Sequence, residues 1–434
     1  MDDIIVKKWN LSQRFFLRFI FLYFILYVCP YGLEYIYKLN TNSFTFWNDI
    51  TIWFGELVYN WEFNKDYLYP FSDSKFEYSR LTLIILISSV GSLIWTFLID
   101  LKFKIDYDTK LKTLLITLIR YHVGFVLINF GLSKVFGIQF GEMSLDTLES
   151  QIGDNYGMTL LWSFMSYSKF FTYAAGFSQL IGGVLLLFRK TAFIGALICF
   201  ITMVNVVLMN IGYNVTIKIV AIHLLVMTII LLQQHIKRMI DFFILNKPTS
   251  PQIRRWLFDN TRFKKTGLIL KIIVLGYFTI TKSFSLNESL NSYVKNDYEY
   301  MTAFHKIETF VVNGDTIPDT KSNKDRWRSL SFNGTSYYPE VFAVITNNKW
   351  NPKRYTFKAD TLNKTITYYP LGTSEKELEH ITKNQLTYKI VPGKREYIFN
   401  GIHESDTIWF KTKFKTVEDY ELTNPNNKLH WIVD

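Results

Sequence analysis

The 434-residue chain has only two cysteines, Cys29 and Cys199, both inside apolar runs, and no Cys-x-x-Cys. This argues against a structural zinc site and against a dithiol redox centre of the protein's own. Its seven histidines are scattered without metal-ligand spacing. There is no nucleophile elbow and no nucleotide-binding glycine fingerprint. No internal repeat is obvious, which counts against many secondary transporters. No acidic residue sits in the middle of an apolar run, which weighs against a proton pump or cation transporter. The first apolar run is followed by "VCPYGLEY". That is a poor cleavage site, so a retained helix is expected rather than a signal peptide.

What the chain does contain is apolar and aromatic. Hydrophobic residues make up 49% and aromatics 18%, and apolar blocks fill the first two thirds. A bilayer-crossing helix needs about 20 apolar residues. Seven runs qualify, near 14–32, 80–99, 112–136, 170–188, 191–211, 215–233 and 267–285. The net charge is +11. The basic residues gather in alternate loops: the N-terminus, "DLKFKIDYDTKLK", Arg189 with Lys190, and the stretch from "HIKRMIDFF" to "RRWLFDNTRFKK". The positive-inside rule accounts for this pattern without nucleic acid. It places the N-terminus in the cytoplasm and everything after residue 285 outside. Between the spans, "FWNDITIWFGELVYNW" is expected to lie at the membrane surface. The segment 137–169 is expected to hold a short helix, and 235–265 an interfacial one.

Residues 295–434 alternate polar and apolar in short runs such as "YTFKAD", "LTYKIV" and "EYIFNG", broken by turns such as "NGD" and "PGK". Period two with such turns predicts seven or eight antiparallel strands in a small barrel or sandwich, with "KLHWIVD" as a final strand. The expected organisation is a transmembrane bundle of about seven helices over 1–290 and an extracytoplasmic β domain over 291–434.

The candidate site residues are basic. At about 100° per residue, Arg120, Gly124, Leu127, Gly131 and Lys134 share one stripe, and His122 lies well away from it. A charge deep in lipid costs at least about 2.5–3.5 kcal/mol, so the stripe should face helices, a cavity or an interface. Either it binds an anionic or quinone-like ligand, with the glycines making room, or Arg120 and Lys134 snorkel to opposite surfaces. Lys218, which shares a face with Asn214, and His223, which points elsewhere, are candidate catalytic groups; each could equally be a hydrogen-bonding helix contact. For Gly176, Gln179 and Gly183, which share a face, helix packing is the expectation.

The stretches "RYHVGFVLINFGLSKVFGIQF", "NYGMTLLWSFMSYSKFFTYAAGFSQLIGGVLLLFRKTAFIGALI" and "NVVLMNIGYNVTIKIVAIHLLVMTIILL" resemble the DoxX-like membrane proteins, in the long form seen in Bacteroidetes-type bacteria. The resemblance implies a four-helix core near 112–245 and an extramembrane extension. DoxX-like proteins are similar to the small subunit of a thiosulfate:quinone oxidoreductase, and more broadly to the membrane domain of vitamin-K-dependent carboxylases. The first reading is therefore an inner-membrane accessory or quinone- and lipid-interacting component of an envelope redox or maturation system. Arg120, Lys134, Lys218 and His223 would line its site. The alternatives are a carboxylase-like enzyme with Lys218 or Lys134 as a buried base, and a non-catalytic anchor whose β domain binds an envelope protein.

Overall fold

A computed structural model of the protein describes residues 9–29, 45–65, 68–99, 107–249, 261–294, 303–320, 322–335, 338–360, 362–371, 373 and 384–423. The apolar runs become helices α1 (Leu11–Val28), α3 (Lys75–Ile94, extended by a wider turn over Trp95–Ile99), α4 (Asp108–Val135), α7 (Lys169–Leu187), α8 (Ala192–Gly212), α9 (Lys218–Gln233) and α11 (Thr261–Val294). Between them lie α2 (Thr45–Tyr59), the short α5 (Leu145–Glu149), α6 (Gly157–Tyr167), and α10 (Ile236–Met239), which continues through Ile244. Among the described residues, five helices are long and apolar enough to cross a membrane. A sixth is reached if α9 and the segment 236–244, bent by 71°, count as one span. The seventh run, 267–285, lies inside α11.

Helix ends follow capping chemistry. Asn10 and Gln13 form a reciprocal capping box at the start of α1, and the Ser74 side chain accepts from the Glu77 N–H at the start of α3. The bend after α9 exposes Phe242, Phe243, Ile244 and Leu245 beside Lys237 and Arg238, a composition suited to a membrane surface.

The chain divides into two compact units, 1–132 with 175–280 and 133–174 with 281–434. This differs from a division at residue 290, because the loop 133–174 groups with the β domain. Within that second unit the Lys415 ammonium is ion-paired to Glu149 of α5.

The β domain is a closed antiparallel barrel. Strands β1 (Phe304–Val312), β3 (Trp327–Thr335), β4 (Tyr338–Asn347), β5 (Pro352–Asp360), β6 (Thr365–Pro370), β7 (Asn384–Ile390), β8 (Glu396–His403) and β9 (Asp406–Lys415) run as a meander, and β9 pairs back onto β1. The two-residue β2 (Asp315–Thr316) folds onto β1 through Asn313 and Gly314, whose φ values of 52° and 93° give the paired left-handed turn that Asn-Gly favours. Alternate residues point inward, and Phe332, Phe357, Phe399, Phe410, Tyr355 and Tyr368 fill the interior, as an eight-stranded barrel allows. β1 is bonded to β3 only over Phe304–Lys306 and to β2 only at Val311 and Val312. Buried Arg326 fills the gap, donating to the carbonyls of Glu308, Trp327 and Ile317. The expected final strand "KLHWIVD" lies outside the described residues.

His305 is the barrel's one core residue able to gain a charge near neutral pH among those described, apart from half-buried His403. It touches Phe332, Tyr397 and Phe399 edge-on and lies 3.2 Å from Thr412 Oγ1. Burial pushes its imidazole down to about 3. An unfolded histidine titrates near 6.5, so the folded state is disfavoured as the unfolded one takes up a proton. The stability is complete above pH 6.5 and falls as pH drops toward 3. Between pH 7 and pH 5 the loss should be about 2 kcal/mol. Unfolding of the full chain followed at both pH values, with wild type and His305→Gln, checks this: the variant should have a flatter profile. His403, also held down by burial, adds a slope of the same sign that remains in the variant.

Candidate functional site

In the helical unit, the polar side chains converge where α1 ends and α3 and α9 begin. Tyr23 and Tyr27 are one turn apart on α1 and share a face. The His223 ring stacks on Tyr27 at 4.1 Å between centroids and lies nearly parallel to Tyr23 at 5.9 Å. His223 Nδ1 is 2.7 Å from the Ile219 carbonyl and Nε2 is 2.6 Å from the Tyr23 hydroxyl. A carbonyl only accepts, so neutral His223 donates from Nδ1 and Nε2 accepts the Tyr23 proton. The buried Tyr27 hydroxyl has no hydrogen-bond partner.

Beside this stack is a buried ion pair. Arg80 donates from Nε and Nη2 to the two carboxylate oxygens of Glu77, at 2.9 and 2.6 Å, and from Nη1 to the Tyr27 carbonyl. The i,i+3 spacing on α3 allows this two-pronged fit. Its guanidinium lies 5.1 Å from the ring centres of both Tyr27 and Phe71. The Phe71 N–H donates to Glu77. His122 of α4 is within electrostatic reach of His223.

Lys218 is one turn before His223 but is otherwise engaged. Its ammonium is 2.9 Å from Asp73, 3.0 Å from Asn214 Oδ1 and 2.9 Å from the Val215 carbonyl. Asp73 also accepts the backbone N–H groups of Lys218 and Ile219. A carboxylate from a distant loop thus caps α9, where exposed N–H groups and the helix dipole favour negative charge.

The basic stripe of α4 is taken apart. Arg120 is buried, with its guanidinium 5.2 Å from the Tyr121 ring centre. Lys134, fourteen residues on, donates to Gln139 Oε1 at 2.8 Å. The room at Gly124 and Gly131 is taken by α7: a Cβ on Gly131 would lie 2.8 Å from both Gly176 O and Leu180 N, and one on Gly124 would lie 2.7 Å from Leu187 Cδ2. Gly176 and Gly183 therefore pack as the sequence suggests, and Gly124 and Gly131 serve the same helix contact. Among the described residues no group of three or more His, Cys, Asp or Glu side chains is placed to hold a metal ion.

Of the candidates read from sequence, His223 alone enters the polar cluster. Tyr23, Tyr27, Glu77, Arg80 and Asp73 were not singled out. Their signals were local and weak: tyrosines four apart on a hydrophobic helix, and an acid in a first turn with a base three residues on.

Comparison with known proteins adds one relative. Over 136 residues the chain is 32% identical to the uncharacterized protein YwoB of Bacillus subtilis (strain 168), a match covering 86% of that protein. The chain belongs to the family of that protein. The match spans 31% of this chain, so most of the sequence lies outside it. No family model matches the chain, and no solved structure matches it.

Proposed function

We propose that the protein is a multi-pass membrane protein of DoxX-like architecture whose helical unit binds a quinone, as an accessory component of an envelope redox or maturation system. Its location would be the inner membrane, with the N-terminus cytoplasmic and the barrel periplasmic. The ligand would lie at the Tyr23–Tyr27–His223 stack rather than along the α4 stripe. The observation that carries it is the hydrogen-bonded Tyr23–His223 pair stacked on Tyr27, whose buried hydroxyl lacks a partner.

A quinone supplies two carbonyl oxygens that accept hydrogen bonds and take up protons on reduction. The Tyr27 hydroxyl is a donor with its proton to give. Tyr23, donating to His223 Nε2, and the Ile219 carbonyl, accepting from Nδ1, hold the imidazole ring in place against Tyr27. The flat faces of the three rings suit a flat ligand, and the Arg80–Glu77 ion pair adds a fixed dipole nearby. The electron donor would be another component of the system, and an envelope partner would meet the barrel at its loops. A carboxylase-like reading with Lys218 as base is less well supported: all three of its hydrogens have an oxygen partner, so it offers no lone pair.

The test is extraction of small lipids from the purified protein, with isoprenoid quinones identified by mass. Wild type should retain quinone. Loss of a hydrogen bond worth about 0.5–1.5 kcal/mol should lower retention roughly 2–10-fold in Tyr27→Phe. His223→Leu, which removes ring and bond together, should retain still less, while Lys134→Gln should match wild type. A wild-type protein without quinone under mild extraction would sink the reading.

A further inference from the structure

A second cluster, independent of the Tyr–His stack, lies on the same helical unit where α4 meets α11 and the end of α7. Arg120 and Lys271 both approach the Tyr121 ring, at 5.2 and 5.4 Å from its centre, and Lys271 is 5.7 Å from the Phe188 ring. Arg189 is close enough to Arg120 for their charges to repel. Arg120 is only 8% exposed; its guanidinium is hydrogen-bonded to the neighbouring Tyr121, and its Nε has no partner.

Three other buried arginines among the described residues are matched. Arg18 faces Asp108, Arg80 faces Glu77, and Arg326 faces backbone carbonyls. Burying a cation without a counter-charge is costly. Among the described residues, neither Arg120 nor Lys271 has a carboxylate partner. Two cations on one ring, a third nearby and an unpartnered buried N–H point to an anion as the missing component.

The surroundings indicate which anion. On α11, Ile269, Ile272, Ile273, Tyr277 and Ile280 are all more than half exposed. An apolar surface of this kind beside a basic cluster suits a molecule with a charged head and hydrocarbon tails. Phosphate oxygens accept from guanidinium and ammonium at once. The cluster lies on helices flanked by the Lys- and Arg-rich loops, and basic sites between helices on that side of a bilayer suit anionic headgroups. We infer that Arg120 and Lys271 hold the phosphate of an anionic phospholipid whose acyl chains lie along α11.

Native mass spectrometry of the full-length protein in detergent tests this, with phosphatidylglycerol, phosphatidylcholine and inorganic phosphate added separately. Phosphatidylglycerol should bind at least tenfold more tightly than phosphatidylcholine. Lys271→Gln should remove most of that preference, and Lys190→Gln, a neighbouring exposed lysine, should leave it intact. Arg120→Gln should act as Lys271→Gln does; where it fails to fold, the half-buried Lys271 carries the test. Equal binding of the two lipids, or an unchanged preference in Lys271→Gln, overturns the inference. Inorganic phosphate that binds with the same dependence on Lys271 while phosphatidylglycerol shows no preference also overturns it, and assigns the cluster to a soluble anion.

Discussion

Asp108→Asn should lower the stability of the helical unit by about 3–5 kcal/mol. Asp108 is the first residue of α4, and its carboxylate lies 3.2 Å from Arg18 Nη2 and 3.2 Å from Arg14 Nε. The side chains of Arg18 and Asp108 are 0% and 1% exposed. The Arg18 guanidinium is enclosed by Trp95 and Tyr107, at 5.6 and 5.4 Å from their ring centres, and Trp95 Nε1 donates to the Tyr107 hydroxyl. Asparagine keeps the volume and removes the charge. Arg18 stays buried and loses the carboxylate of Asp108, and that loss dominates the cost. The double variant Arg18→Met with Asp108→Asn should recover much of the loss, because the two fully buried charges are gone and only the partly exposed Arg14 remains. Thermal unfolding in detergent separates these outcomes. A single variant that melts with wild type would show that the Asp108 charge is not what stabilises buried Arg18.

Gly131→Leu should be the next most damaging change. The neighbours of a new Cβ there are a backbone carbonyl and a backbone N–H of α7, both 2.8 Å away. Neither can rotate aside as a side-chain tip could, so α4 and α7 must separate. Overpacking typically costs about 1–3 kcal/mol, occasionally more, and the upper end is expected here. Gly276→Leu is the matched control, since a Cβ at Gly276 on α11 meets nothing within 4 Å. It should be neutral or gain about 0.5–1 kcal/mol from helix propensity. If both variants melt alike, the glycine contact is not what sets the spacing of α4 and α7.

The large divisions were legible in the sequence because they rest on strong, local patterns. The long apolar runs became helices, and the period-two stretches became barrel strands. "NGD" became the turn it predicts, and the segment 137–169, expected to hold a short helix, carries α5 and α6. Closure of the barrel was not legible, since pairing of Phe310 with Phe410 joins residues with no local relation. The site was mostly illegible for a similar reason. Arg120 and Lys134 stood out because they are charges in an apolar run; Lys134 finds Gln139 five residues on, and Arg120 lies buried beside Tyr121. The cluster around His223 draws on α1, the loop before α3, α3 itself and α9. Its charged members, Asp73, Glu77 and Arg80, sit at a helix start, where charge is unremarkable in a sequence. Gly124 and Gly131 showed a close approach but not by what.

The pairing of β1 with β9 also fixes an order of events during synthesis. Phe304 to Val312 leave the ribosome first among the barrel strands, and their main partner over that whole length, Asp406 to Lys415, leaves last. At about 5–20 residues per second, the first strand waits roughly 5–20 s for it. Until then Ile307 and Phe310 have no barrel to enter. The domain should therefore mature only after its last strand is made, and a chain stopped before residue 406 should be held by chaperones or aggregate rather than form a smaller barrel.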